Sequence, residues 1–184
     1  CLYFWLFEII LYRRSHNRDR GKDRTVPMMK KCVDDSKTEQ FRLLKYEDIN
    51  GANRLFGGKL MAWIDEVAGV TARRHCETQV TTACIDNLQF KEPAFLGNMV
   101  VIIGRITYIG RSSMEVRVDS YVEDAQGFRR PINRAYVTMV ALDENEHPRA
   151  VEFGLELTTE TEKIEWESGR RRAELRRQRR REGF

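Results

Sequence analysis

The chain has 184 residues, the length of one ordinary domain, and its 41% hydrophobic content is enough for a single core. An aromatic share of 10% excludes a wholly disordered chain. The net charge of +4 is unevenly spread: residues 1–31 carry eight Lys/Arg against three acids, and residues 170–184 carry eight Arg against two Glu, so an acidic body lies between two basic ends. Of the four cysteines (Cys1, Cys32, Cys76 and Cys84), none forms a C-x-x-C pair. That spacing suits neither a zinc site nor a disulfide framework, so no metal or redox cofactor is implied, and reduced thiols in a cytoplasmic protein are expected.

Residues 1–12 are strongly apolar but contain Glu8, and are too short to span a bilayer. Arg13 and Arg14 follow the apolar run, whereas a signal peptide has its positive charges ahead of it. Two readings stand: the end of a truncated anchor, or non-native sequence ahead of a start at Met28 or Met29. No membrane association is expected. Residues 13–40 read as a flexible lead-in, and the organised region opens near Phe41. The expected division is an extension over 1–40, a folded domain over 41–157 and a charged helix with an arginine tail over 158–184.

The spacing predicts a helix over 57–75. Gly57-Gly58 opens it, and Leu60, Met61, Ile64, Val67, Ala68 and Thr71 recur at helical intervals. Lys59, Glu66 and Arg73 share a narrow stripe that reads as a solvated edge with local ion pairing. The rest of the circumference is almost all apolar, which predicts a mostly buried helix. Strand signals follow at Val80–Phe90, Met99–Tyr108, Ser113–Glu123 and Phe128–Leu142. In the third, Met114, Val116, Val118 and Val122 alternate with Glu115, Arg117, Asp119 and Tyr121. Pro131 suggests an edge or a bulge near the start of the last strand. Thr159–Gln178 reads as a second helix, capped by Thr159 or Thr161, with acids early and arginines late as the helix dipole prefers. One buried helix followed by hairpin-linked strands is an α+β pattern, most simply an antiparallel sheet curled around that helix.

Asp65 lies on the predicted helix away from the charged stripe, among Met61, Ala62, Ala68, Gly69 and Ala72. A carboxylate among small apolar neighbours is costly to ionise and needs a reason, either a pairing partner or chemistry. Gly57-Gly58 leaves the first-turn N–H groups approachable, where they and the helix dipole favour a developing oxyanion. His75 reads as a residue that complements the dipole at the helix C-terminus. Trp63, Met61 and Met139 read as core.

The stretch Asn50-Gly51-Ala52-Asn53-Arg54-Leu55-Phe56-Gly57-Gly58, followed by Leu60-Met61 and Asp65-Glu66-Val67-Ala68-Gly69, closely resembles the acyl-CoA thioesterases of the hotdog fold, in the branch of YciA-like and cytosolic acyl-CoA hydrolases. The resemblance continues through Asp86-Asn87-Leu88-Gln89-Phe90-Lys91-Glu92-Pro93, Gly97-Asn98, Tyr108–Val116 and Ala135–Asp143, and covers about residues 41–175.

The resemblance implies hydrolysis of acyl-CoA to free fatty acid and CoA. Asp65 would be general base or nucleophile, and Asn50 would come from a facing subunit to position water or thioester. The N–H of Gly57 or Gly58 would polarise the carbonyl. Asn53 is a second candidate for the amide role, with a less suitable spacing. Arg111, Ser112 and Ser113 match the segment that lies along CoA in the family, against the plainer reading of a tight turn with an exposed arginine. A composite site requires a dimer at least, and a hexamer built as a trimer of dimers is the form common in the family. Two alternatives use the same residues differently: a non-catalytic acyl-CoA-binding regulator on the same fold, and a basic-tailed nucleic-acid-binding protein. The absence of aromatic interleaving in the tail weighs against nucleic acid, and the plainest reading of the tail is a solvated helix end.

Overall fold

A computed structural model describes residues 29–183, so expectations for residues 1–28 lie outside the described residues. Strand β1 (Met29–Cys32) runs into a single helical turn, α1 (Val33–Ser36), and then strand β2 (Thr38–Leu43). The central helix α2 spans Gly57–Cys76. Four long strands follow: β3 (Gln79–Phe90), β4 (Met99–Ile109), β5 (Ser113–Glu123) and β6 (Arg129–Leu142). A short β7 (Phe153–Glu156) precedes the second helix, α3 (Glu160–Glu182).

The main sheet is antiparallel with strand order β2-β4-β5-β6-β3, and β1 pairs with β7 in a separate parallel ribbon. Segment 29–40 is therefore structured, against the expected flexible lead-in. Its short strands recruit a distant ribbon partner and the free edge of β4, and local pattern cannot reveal such pairings.

The α+β expectation holds, and α2 lies in the concave face of the sheet. Leu60, Trp63, Ile64, Val67, Ala68 and Ala72 from α2 meet Val100, Ile102, Ile106, Met114, Val116, Val118, Val137 and Met139 from the strands in one buried cluster. Close seating depends on Gly104 in β4: a Cβ there would stand 2.5 Å from Thr71 Oγ1 and 2.8 Å from Val67 Cγ1. The expected alternation in β5 is present, with Met114, Val116 and Val118 fully buried beneath α2. The expected irregularity at Pro131 is a bulge: the register shifts between Ser120 and Tyr121, which pairs with Pro131. The strand is interior, so the edge reading of Pro131 is replaced.

Three details of α2 differ from expectation. The ion pairs of its charged stripe reach outside the helix, Lys59 to Asp48 at 3.4 Å and Glu66 to Arg42 at 2.7 Å. His75 is fully buried. It lies 3.5 Å from Ser36 Oγ and 3.2 Å from the Phe153 carbonyl, and burial pushes its pKa down. The cation at the helix C-terminus is Lys31, whose Nζ donates to the carbonyls of Arg74 and His75 at 2.9 and 3.1 Å. Finally, Met61 is 40% exposed rather than core, whereas Trp63 and Met139 are buried.

Candidate active site at the central helix

Asp65 stands midway along α2 on the side that the sheet leaves partly open. Met61, Ala62 and Val70 on the same side are exposed and Gly69 is half-buried, so this apolar stripe has no cover among the described residues. The Asp65 carboxylate is half-buried, and its Oδ1 accepts from Thr82 Oγ1 at 2.5 Å. Its second oxygen has no hydrogen-bond partner among the described residues. Thr82 sits on β3, the free edge of the sheet, opposite Met139 of β6, whose sulfur lies 3.5 Å from the same hydroxyl. Thr82 was not singled out from the sequence. Thr81-Thr82 reads there only as β propensity, and the choice of which threonine faces the helix depends on strand register.

The loop before α2 builds the second half of the site. Ile49 and Leu55 form a bridge, and Asn50 N–H donates to the Arg54 carbonyl at 2.8 Å. Asn50 Oδ1 accepts from the N–H groups of Ala52 (2.9 Å) and Arg54 (3.3 Å), an Asx turn that occupies the amide oxygen, while Nδ2 has no hydrogen-bond partner among the described residues. Asn53, at φ 56°, is a left-handed turn residue whose N–H bonds back to the Asn50 carbonyl, which favours Asn50 for the amide role.

The helix then opens on Phe56 with no side-chain cap and no acid in its first turn. The N–H groups of Gly57 and Gly58 thus have no partner among the described residues, as the first turn of any helix leaves them. A Cβ on Gly57 would stand 3.1 Å from the Phe90 ring, and one on Gly58 2.7 Å from the Phe56 ring, so glycine is what admits this close approach.

Asn50, Gly57, Leu60, Phe90, Lys91, Pro93 and their neighbours line an open hollow of about 390 Å³. Asp65 does not line it. Within one chain Asp65 stands eight residues beyond Gly57, roughly 12 Å of helical rise, so a single chain gathers Asn50 and the glycine donors in one place and the Asp65–Thr82 pair in another. Arg111, Ser112 and Ser113 form the β4–β5 hairpin, with Arg111 exposed and the Gly110 N–H donating to the Ser113 carbonyl at 2.7 Å. Register puts this turn at the level of Thr82, two strands away, because Met114, Met139 and Thr82 are successive cross-strand partners.

The tail departs from its plainest reading. Helix α3 lies across the outer face of the sheet, opposite α2, and several of its arginines are engaged there. Arg172 and Arg176 both reach Glu115, which is 1% exposed, and Arg176 also binds Asp86. Among the described residues no helix is long and apolar enough to cross a membrane.

An antiparallel sheet wrapped around one long helix, with a half-buried carboxylate on that helix and open N–H donors at its start, defines the hotdog class. The thioesterase superfamily matches residues 52–129. The chain is 40% identical over 102 residues to an uncharacterised acyl-CoA thioester hydrolase of Bacillus subtilis, covering 55% of this chain and 59% of that protein. It is 31% identical over 173 residues to the cytosolic acyl-CoA thioester hydrolase of mouse, covering 90% of this chain and 45% of that protein. It thus spans about half the length of these curated relatives. Among solved structures, an acyl-CoA hydrolase of Staphylococcus aureus superposes with a TM-score of 0.79 at 34% identity, over 84% of this chain and 94% of that one. That hydrolase has also been solved with butyryl-CoA and CoA, and as variants that replace an aspartate, an asparagine and a threonine by alanine. This chain belongs to the thioesterase superfamily.

Proposed function

We propose that this protein hydrolyses acyl-CoA thioesters to a free fatty acid and CoA. The observation that carries the proposal is the Asp65–Thr82 pair: a half-buried carboxylate fixed by one hydroxyl through one oxygen and open at the other. The three residues altered in the Staphylococcus hydrolase are spaced along its chain as Asn50, Asp65 and Thr82 are along this one, which supports the same three roles here.

In this reading the free Asp65 oxygen takes a proton from water as that water attacks the thioester carbon, or the carboxylate itself attacks and water then cleaves the acyl anhydride to the free acid and Asp65. The carbonyl oxygen becomes an oxyanion held by the N–H of Gly57 or Gly58 and by Asn50 Nδ2–H, all donors with no partner among the described residues. Collapse breaks the C–S bond, and the CoA thiolate takes up a proton. Because Asn50 and Asp65 are apart within one chain, Asn50 and the glycines act on a thioester that meets Asp65 of a facing copy. The uncovered stripe of Met61, Ala62, Gly69 and Val70 around Asp65 is the surface for that copy. The dimer is the minimum, and a hexamer is the form we propose, in keeping with the hexameric thioesterases among the structural neighbours. Arg111, Ser112 and Ser113 are placed to follow the CoA arm, Arg111 through phosphate. The three described cysteines are free, which suits the cytoplasm.

The test is thiol release from acyl-CoAs of graded chain length by the full chain and its Asp65→Asn variant. Turnover that drops about a hundredfold or more in a folded, still oligomeric variant is expected. CoA binding without turnover on any chain length would instead assign the protein as an acyl-CoA-binding regulator.

A further inference from the structure

Helix α3 lies outside the matched family region. It crosses the sheet over four strands. Trp166 packs on Tyr108 of β4 with ring centroids 5.0 Å apart. Glu165 pairs with Arg117 of β5 at 2.5 Å. The Arg172 guanidinium stands 3.7 Å from the centroid of the Tyr136 ring of β6, and binds Glu115 of β5 through Nη2 at 2.8 Å and Nε at 3.1 Å.

Arg176 is 8% exposed and goes one strand farther. Its Nη1 lies 3.0 Å from Glu115 Oε2 on β5 and 2.8 Å from Asp86 Oδ2 on β3. One buried guanidinium thereby spans β6 and ties the edge strand to the centre of the sheet. Within one chain β3 is an edge strand, and its register with β6 is irregular between Thr82 and Cys84 and again between Asp86 and Gln89. Asn87, next to Asp86, is held at φ 54°. The short regular piece between the two irregularities begins next to Thr82, whose hydroxyl fixes Asp65.

We infer that Arg176 is a positioning residue for the hydrolysis reaction: by bracing Asp86 across β6, it sets the place of Thr82 and hence of the Asp65 carboxylate. The inference rests on the hydrolase reading above. Arg172 supplies the control, because it shares Glu115 and seats the same helix but does not touch β3 through Asp86.

The experiment measures kcat and KM for butyryl-CoA hydrolysis by the full chain and by Arg176→Met, Arg172→Met and Asp86→Asn, with melting temperatures alongside. Expected are a kcat about tenfold lower at unchanged KM in Arg176→Met and Asp86→Asn, and a kcat within about twofold of the parent in Arg172→Met despite a comparable loss of thermal stability. Equal kcat losses that track melting temperature across all three would overturn the proposal and leave a purely structural brace. Parental kcat in both Arg176→Met and Asp86→Asn would overturn it as well. Asp86→Asn keeps the size of its side chain and serves if Arg176→Met does not fold. Failure of the parent to turn over any acyl-CoA would remove the hydrolase reading itself, which is a different result from an active parent with indifferent variants.

Discussion

The two long helices rest on opposite faces of one sheet by opposite means. Helix α2 lies on the concave face through aliphatic packing: Ile64, Ala68 and Ala72 are fully buried, and the ion pairs of its charged stripe run along its rim. Helix α3 lies on the convex face, and its fixing points there are ionic: Arg172 and Arg176 on Glu115, and Glu165 on Arg117. Each interface also has one glycine at the point of closest approach, Gly104 in the strand beneath α2 and Gly169 in the helix above β4 and β5. The difference teaches why the inner helix suits the proposed chemistry. Apolar packing holds α2 whatever the state of its one polar face, so Asp65 is not needed to seat the helix. A buried ionic interface tolerates no change of charge, which suits a brace.

Four substitutions sharpen the contrast. The largest effect is expected on the inner face, where Ile64→Ala leaves a cavity beneath α2 and costs about 4 kcal/mol in denaturant unfolding. On the outer face, Glu115→Gln leaves Arg172 without its anion and Arg176 with Asp86 alone, and costs about 3 kcal/mol by the same measurement. Near-zero cost there would mean that α3 is held by its apolar contacts alone. Gly169→Ala comes next and reverses an ordinary rule. In an exposed helix the change adds about 1 kcal/mol of stability, but here the new methyl would stand 2.6 Å from Tyr108 Cβ and 2.9 Å from Glu115 Oε1. A lowered melting temperature, with earlier proteolytic cutting in α3, is expected.

The smallest effect is on pH dependence. Burial lowers the pKa of His75 in the fold, so the unfolded chain binds its proton more readily. Stability is complete above the unfolded pKa of about 6.5 and is lost as pH falls below it toward the folded value. Lys31 opposes a charge at His75 and Asp35 favours one. Replacing His75 by Gln should flatten that acid limb, measured as the melting temperature between pH 7 and 5.

Much of the inner half was legible from the chain alone. The helical recurrence of Leu60, Ile64, Val67, Ala68 and Thr71 identified the element that fills the sheet, and the alternation of Met114, Val116 and Val118 identified the strand face that receives it. The Asn50, Gly57-Gly58 and Asp65 motifs pointed to one reaction. Those features are periodic or local, and a periodic pattern records which side of an element is apolar.

The outer half was not legible, for a physical reason. Glu115 and Asp119 alternate as a solvated face should, yet they are 1% and 2% exposed: Arg172 and Arg176 of α3 cover Glu115, and Arg117 and Arg134 of β5 and β6 pair with Asp119. A polar stripe looks the same in sequence whether water or an arginine satisfies it. Likewise His75 looked like a dipole partner, and only the approach of Ser36 and Phe153 from distant segments made it a buried ring. The choice of Thr82 as the partner of Asp65 depended on strand register and on where α2 crosses β3. The sequence by itself determined the central helix, the four long strands and the second helix, and pointed to the reaction proposed for the central helix. The tertiary structure alone decided which polar groups are buried and who pairs with them, because burial and long-range pairing belong to segments that meet only in the folded chain.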